Sequence, residues 1–193
     1  MREYITFGNY AGNPVEWLVL ERTPQKALLL SRYILDAKRI APDCIYTSWR
    51  TCPLRQWLNQ GFLQSAFSAE EQKQILTAEL FTPDCRGFAG NGDNHTQDKI
   101  FLLSEEELCR YLPDRGERTA PAEVHAMTFS QDLKDFMTLL PFYHERQNCW
   151  WWLRSFGDEP NNFGVVWSDG SVFALGHYVN YERGIRPALY LNL

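Results

Sequence analysis

The sequence predicts an α+β domain. Three observations carry that prediction: strand-like runs open the chain, two helix-capping signatures sit in its middle, and strand-like runs return at its end. No regular β-α-β alternation occurs, which argues against a doubly wound sheet. At 193 residues the chain fits a single domain, 1–193, long enough to bury a sizeable core.

The opening reads as a meander. Tyr4-Ile5-Thr6-Phe7 ends at Gly8, Asn13-Pro14 makes a turn, and Val15–Leu20 is the next strand. A second turn at Thr23-Pro24-Gln25 leads to Ala27–Ser31. Helices follow. Pro53 suits a first helical position, with Leu54, Trp57, Leu58 and Phe62 on one face and Gly61 near the end. Ser68-Ala69-Glu70-Glu71 and Ser104-Glu105-Glu106-Glu107 are capping boxes. The first opens a short helix with Ile75 and Leu76 inward; the second opens a helix that ends by Pro113. Between them, residues 82–98 read as a polar loop and Lys99–Leu103 as a short strand. Residues 119–147 are mixed, partly helical around Gln131–Leu139, with a stop at Pro141.

Strands return at Trp150–Ser155, Phe163–Trp167, Ser171–Leu175 and Ile185–Leu191. Ser168-Asp169-Gly170 closes a hairpin as a three-residue loop with a left-handed glycine. That register puts Val166 and Val172 on one face and Val165, Trp167, Ser171 and Phe173 on the other. A two-residue Asp-Gly turn would instead pair Trp167 with Val172. In the Trp150–Trp152 run at least one face must be core, so the run reads as scaffold.

Charge and cysteines bound the function. The net charge is -5 and no Lys/Arg run occurs, so the chain is a poor partner for nucleic acid or anionic membranes. No run approaches the ~18 apolar residues of a membrane span. Met1–Tyr4 lacks the apolar stretch of a signal peptide, which predicts a cytoplasmic chain. Five cysteines without a CxxC spacing suggest reduced thiols, most of them in the core. The four histidines are scattered, so no metal site is expected. Asp93 and Asp98, with Asn91, Asn94 and Thr96, read as an Asx-rich turn rather than a metal loop. No cofactor is predicted.

Several stretches form one familiar series. They are Ile5–Tyr10, Val15–Leu20, Leu54–Asn59, Ala66-Phe67-Ser68 and Asp98–Ser104. Trp151-Trp152-Leu153-Arg154-Ser155 and Gly184-Ile185-Arg186-Pro187-Ala188-Leu189 complete it. The series resembles a bacterial family of domains of unknown function, and the two closing motifs are its most specific part. The resemblance implies a C-type-lectin-like fold, related in shape to formylglycine-generating-enzyme domains. Its first and last strands would pair, and a loop-rich C-terminal region would carry the binding face. Residues 1–149 would be scaffold, and 150–193 the C-terminal strands with a candidate variable region.

Some members of that family resemble the variable proteins of diversity-generating retroelements. There, adenine-directed mutagenesis rewrites codons between the two closing motifs. The implied ligand-binding residues here are Phe156, Asp158, Asn161, Asn162, Phe163, Trp167, Ser168, Asp169, Ser171, Phe173, Leu175, His177, Tyr178, Asn180, Tyr181 and Arg183. Mutating the adenines of an Asn codon reaches most of these, but not Trp167, Glu159 or Glu182. The composition agrees with a recognition surface: residues 150–193 hold 10 aromatics in 44 positions and no lysine. Packing of Trp167 and Phe173 under a loop is the alternative. Arg154 and Arg186 are expected to make structural ion pairs or carbonyl contacts.

The partner expected is a protein or a surface glycan, bound without turnover. Three other readings stand beside it. Glu159-Pro160-Asn161 copies a calcium- and sugar-binding tripeptide of lectins, though the accompanying ligands are missing. A formylglycine-generating type of enzyme looks as if it needs a cysteine pair in the C-terminal half, where this chain has Cys149 alone. The third is a scaffold domain that does not vary.

Overall fold

The computed structural model describes residues 2–85, 94–122 and 148–193. The helix expected near Gln131–Leu139, its Pro141 stop, and Asn91 and Asp93 of the polar loop lie outside the described residues.

Three strands open the chain: β1 (Tyr4–Tyr10), β2 (Asn13–Arg22) and β3 (Lys26–Ser31). The first turn is Ala11-Gly12, with φ of 50° and 84°, and not Asn13-Pro14. Two left-handed residues in a two-residue loop match the right-handed strand twist. A short strand, β4 (Asp36–Lys38), was not foreseen.

Pro53 does open α1 (Pro53–Trp57), which runs through a π-helical turn at Leu58–Phe62 into α2 (Leu63–Ala66). The Ser68 capping box forms at the start of α3 (Ala69–Gln74): Ser68 Oγ accepts from Glu71 N at 3.3 Å and Ser68 N donates to Glu71 Oε2 at 2.7 Å. The helix stops there. Ile75 and Leu76 form β5 (Ile75–Leu76) instead of a last helical turn, because pairing with the C-terminal strand buries Ile75. Next come β6 (Ala78–Phe81) and β7 (His95–Asp98), an antiparallel pair. Residues 95–98 are therefore strand, and the strand expected at 99–103 reduces to a bridge between Phe101 and Ala188. The second capping box opens α4 (Glu105–Tyr111), and a short α5 (Arg115–Arg118) follows.

The C-terminal strands are β8 (Trp151–Phe156), β9 (Asn162–Val166), β10 (Val172–Tyr178), β11 (Arg183–Ile185) and β12 (Ala188–Asn192). The single strand expected at Ile185–Leu191 is broken at Arg186-Pro187. Pro187 has no N–H for a ladder, and its carbonyl takes the N–H of Ser31 at 2.9 Å.

Two five-stranded sheets result, in the orders β1-β2-β3-β12-β5 and β10-β9-β8-β11-β4. The break at Pro187 is where the chain crosses between them. The opening meander does pair with the last strand, through β3 and β12. The C-type-lectin-like arrangement, with helices between terminal blocks of strand, is overturned. Strand makes up 42% of the described residues against 19% helix, and β4 to β7 occupy the middle of the chain. The physical reason is the brevity of the helices. Apart from the continuous helical run from Pro53 to Ala66, no described helix exceeds seven residues, and the extended segments between them bury their apolar residues by pairing.

Three buried polar nodes fasten the frame. Asp98 accepts from Arg55 Nε at 2.6 Å, Trp49 Nε1 at 3.1 Å and Thr96 Oγ1 at 2.9 Å. Arg154 donates through Nη2 to Glu107 Oε1 at 2.8 Å and through Nη1 to the Leu102 carbonyl at 3.0 Å. Arg186 donates through Nε to the Ser31 carbonyl at 2.9 Å. The ion pair and carbonyl contacts expected of these two arginines are present. Trp151 and Trp152 have no exposure, and their indole N–H groups reach the carbonyls of Arg118 at 3.1 Å and Lys38 at 2.9 Å. Both are scaffold, as expected of the tryptophan run.

Candidate functional site

The hairpin of β9 and β10 closes in the three-residue register: Val166 pairs with Val172, and Val165 with Phe173. Trp167 N donates to Ser171 O at 2.8 Å, and Gly170 sits at φ +80°. A Cβ at Gly170 would meet the Arg115 carbonyl, so the position requires glycine twice over. The turn carboxylate of Asp169 accepts from Ser171 N at 2.9 Å and pairs with Arg115. Its pKa is lowered by the Ser171 hydrogen bonds and by Arg115.

From this register one continuous ring surface follows. Trp167, 36% exposed, stacks on Trp150 at 5.3 Å and 9°, and contacts Phe173 at 5.3 Å. His177 lies 5.3 Å from Trp150, 6.0 Å from Phe173 and 5.5 Å from Tyr181. Tyr181 in turn contacts Tyr178 at 6.1 Å. The Arg183 guanidinium lies over Trp150 and over Tyr181, 5.2 Å from each ring. Offset stacks and edge contacts of this kind hold rings rigid at the surface.

Arg183 Nη2 is 3.2 Å from His177 Nδ1. A guanidinium can only donate, so Nδ1 accepts and the His177 proton belongs on Nε2. Burial and the Arg183 charge both lower the His177 pKa, burial the more.

The sequence-predicted residues divide into five groups. Trp167, Phe173, His177, Tyr178, Tyr181 and Arg183 form the ring surface. Ser168, Asp169 and Ser171 form the turn beside it. Phe156, Asp158, Asn161 and Leu175 lie at the other end of the hairpin, where β10 bulges opposite Gly164 and leaves Leu175 56% exposed. Asn180 is half-buried in the loop after β10. Asn162 and Phe163 are corrected: both are buried. They belong to β9, a strand paired on both sides whose five residues all face packed structure.

Sequence reasoning missed three residues. Trp150 is half-buried and belongs to the surface, because β8 begins only at Trp151. Ile45 and Tyr46 are exposed, and Tyr46 stacks on Phe156 at 6.4 Å and 15°. The loop that carries them touches the hairpin again where Asn161 Nδ2 meets Cys44 Sγ at 3.2 Å. The adjacent Ile45-Tyr46 pair in the segment after Pro42, outside every expected strand or helix, was the available signal.

The five cysteines form no disulfide. Cys52, Cys85 and Cys149 are buried, so most lie in the core as expected, whereas Cys44 and Cys109 are exposed. Burial pushes the Cys149 thiol up to about 11, away from a nucleophilic thiolate. Among the described residues no group of three or more His, Cys, Asp or Glu is placed to hold a metal ion. Asp98 is spent on Arg55, Trp49 and Thr96. Among the described residues no helix is long and apolar enough to cross a membrane. A cleft of about 940 Å³ opens beside the surface, between Tyr10, Asp36, Lys38, Trp57 and Glu182. Within it Tyr10 donates to Asp36 at 2.5 Å, and Lys38 sits 4.4 Å over Trp57.

A family model described as a domain of unknown function, DUF6273, matches residues 24–193. The chain belongs to the DUF6273 family. No curated protein and no solved structure matches it. The DUF6273 match contains the whole ring surface and both closing motifs. It begins after β2, so β1 and β2 lie outside it although they build the same sheet as β3 and β12.

Proposed function

We propose that this chain is a recognition module that binds a macromolecular partner through the ring surface of the β9–β10 hairpin. The observation that carries the reading is the unbroken series Trp150, Trp167, Phe173, His177, Tyr181 and Tyr178, crossed by Arg183, with Trp167, Tyr178 and Tyr181 exposed and the rest half-buried. Trp, Tyr and Arg are the side chains that dominate protein binding hot spots. That composition favours a protein partner over a surface glycan. Rigid rings lose little entropy on binding, which suits them to contact rather than to turnover.

We further propose that the surface is interchangeable, as in the variable proteins of diversity-generating retroelements. Partly exposed positions on a fixed frame tolerate exchange, and Phe173, His177, Tyr178, Asn180, Tyr181 and Arg183 are such positions. Trp167 is not reachable from an adenine-mutated Asn codon, so the Trp150–Trp167 stack would be the constant centre. The buried Asn162 and Phe163 would be constant too.

Two tests apply. A near-copy of the 150–190 coding region, differing at adenines and lying beside a reverse transcriptase, is expected in the neighbouring DNA. Its absence removes the interchange but leaves the binding reading. For binding, proteins selected from a display library against the wild-type chain should bind Trp167→Ala and Tyr181→Ala at least about tenfold more weakly. Undiminished binding by both variants removes the ring surface as the site.

A further inference from the structure

A second site follows from the closing motif. Arg186 is 3% exposed. Its Nε donates to the Ser31 carbonyl at 2.9 Å, its Nη1 to the Arg118 carbonyl at 3.2 Å, and its guanidinium lies over Trp151 at 5.0 Å. Among the described residues no carboxylate pairs with it. Burial lowers its pKa to about 9. A buried cation without a counter-charge is costly, and ordinary frames pair such a group with an acid.

Arg186 also lines a cavity of about 310 Å³, together with Arg2, Tyr4, Arg32, Tyr33 and Glu117. Three guanidiniums thus meet one carboxylate in its wall. Glu117 is already held by Arg2, whose Nε donates to Oε1 at 3.0 Å. Arg32 donates to Glu16 at 2.8 Å and lies over Tyr4 at 4.9 Å and Tyr33 at 5.1 Å. Glu16 balances its charge and the rings hold it in place, so of the three guanidiniums Arg186 is the one without a carboxylate partner among the described residues. Arg186 Nη2 donates to no described residue, which leaves this nitrogen for a ligand.

We propose that the cavity binds a small oxyanion, the phosphate or carboxylate group of a small molecule. Arg186 Nη2 would meet it at the base, with Arg32 and Arg2 flanking. Guanidinium forks suit both groups, through charge-assisted hydrogen bonds. The volume is about that of ten waters at the ~30 Å³ each occupies in the liquid, enough for such a molecule and too small for a folded partner. Arg2 and Tyr4 precede the family match, so this site draws on residues outside it.

The test is titration of the full chain with sodium phosphate and, separately, sodium acetate, at constant ionic strength set by chloride. Calorimetry and the thermal midpoint are both read. Saturable binding of at least one anion, with a rise in the midpoint, is expected. The stronger of the two tells tetrahedral from planar chemistry. Arg32→Gln should weaken binding about tenfold. Arg2→Gln, which leaves Glu117 unpaired at the cavity, should weaken it further. Arg186→Lys should abolish it; if that variant does not fold, the other two decide. No saturable binding of either anion below about 10 mM overturns the proposal, as does equal binding by Arg32→Gln and Arg2→Gln.

Discussion

Trp150 and Trp167 on one side, and Trp151 and Trp152 on the other, are the same side chain in opposite employment. The inner pair has no exposure, and both indole N–H groups end on carbonyls of other elements. The outer pair stacks in parallel at the surface, under an arginine. Trp150 directly precedes the buried Trp151 in the chain. A count of aromatics therefore says little. Where the strand begins, and which register its hairpin takes, decide whether an aromatic is frame or face.

The largest expected effect lies in the frame. Trp152→Ala should cost about 3–5 kcal/mol in urea unfolding, from lost burial and an orphaned Lys38 carbonyl. Trp167→Ala should cost less than about 1 kcal/mol, since its ring is partly solvated already. Equal costs would break the comparison.

Asp98→Ala should come next, at about 3 kcal/mol, because it leaves the Arg55, Trp49 and Thr96 donors without their acceptor. The ring surface is remote from that node in sequence, so binding per folded molecule should not change. Gly170→Ala should cost about 1–3 kcal/mol, given φ of +80° and the Arg115 carbonyl in the way. It also displaces the turn beside Trp167, so a fall in both stability and binding sharpens the link between register and face.

The smallest effect is a pH dependence. The folded His177 pKa lies below its ordinary value near 6.5, so between those two values the unfolded chain holds more protons. Its contribution to stability is present above about pH 6.5 and fades as pH falls through the folded value. Protonation also turns Nδ1 into a donor facing Arg183. The chain should lose stability on acidification through that range, and His177→Phe should lose less. An identical pH profile for the variant removes His177 from the account.

Much of the frame was legible in the sequence. Both capping boxes, the helix start at Pro53 and the three-residue hairpin loop rest on local chemistry that sequence displays directly. What failed was decided by distant partners. Ile75 and Leu76 left a helix for a strand because β12 offers an edge, and His95–Asp98 became strand because β6 does. Arg186-Pro187 divided one apparent strand between two sheets. The surface was legible in part for the same reason. Trp167 and Phe173 follow from hairpin register, while Tyr46 comes from a loop far away in sequence. Asn162 and Phe163 carried the right composition in a strand paired on both sides.

The most direct test of the central claim is one protein carrying Trp167→Ala, Phe173→Ala, Tyr178→Ala and Tyr181→Ala together. Its unfolding and its binding to a partner selected with the wild-type chain should be measured on the same sample. The account predicts cooperative unfolding, a loss of at most about 3 kcal/mol and no detectable binding. A chain that fails to fold, or one that folds and binds as the wild type does, would contradict it.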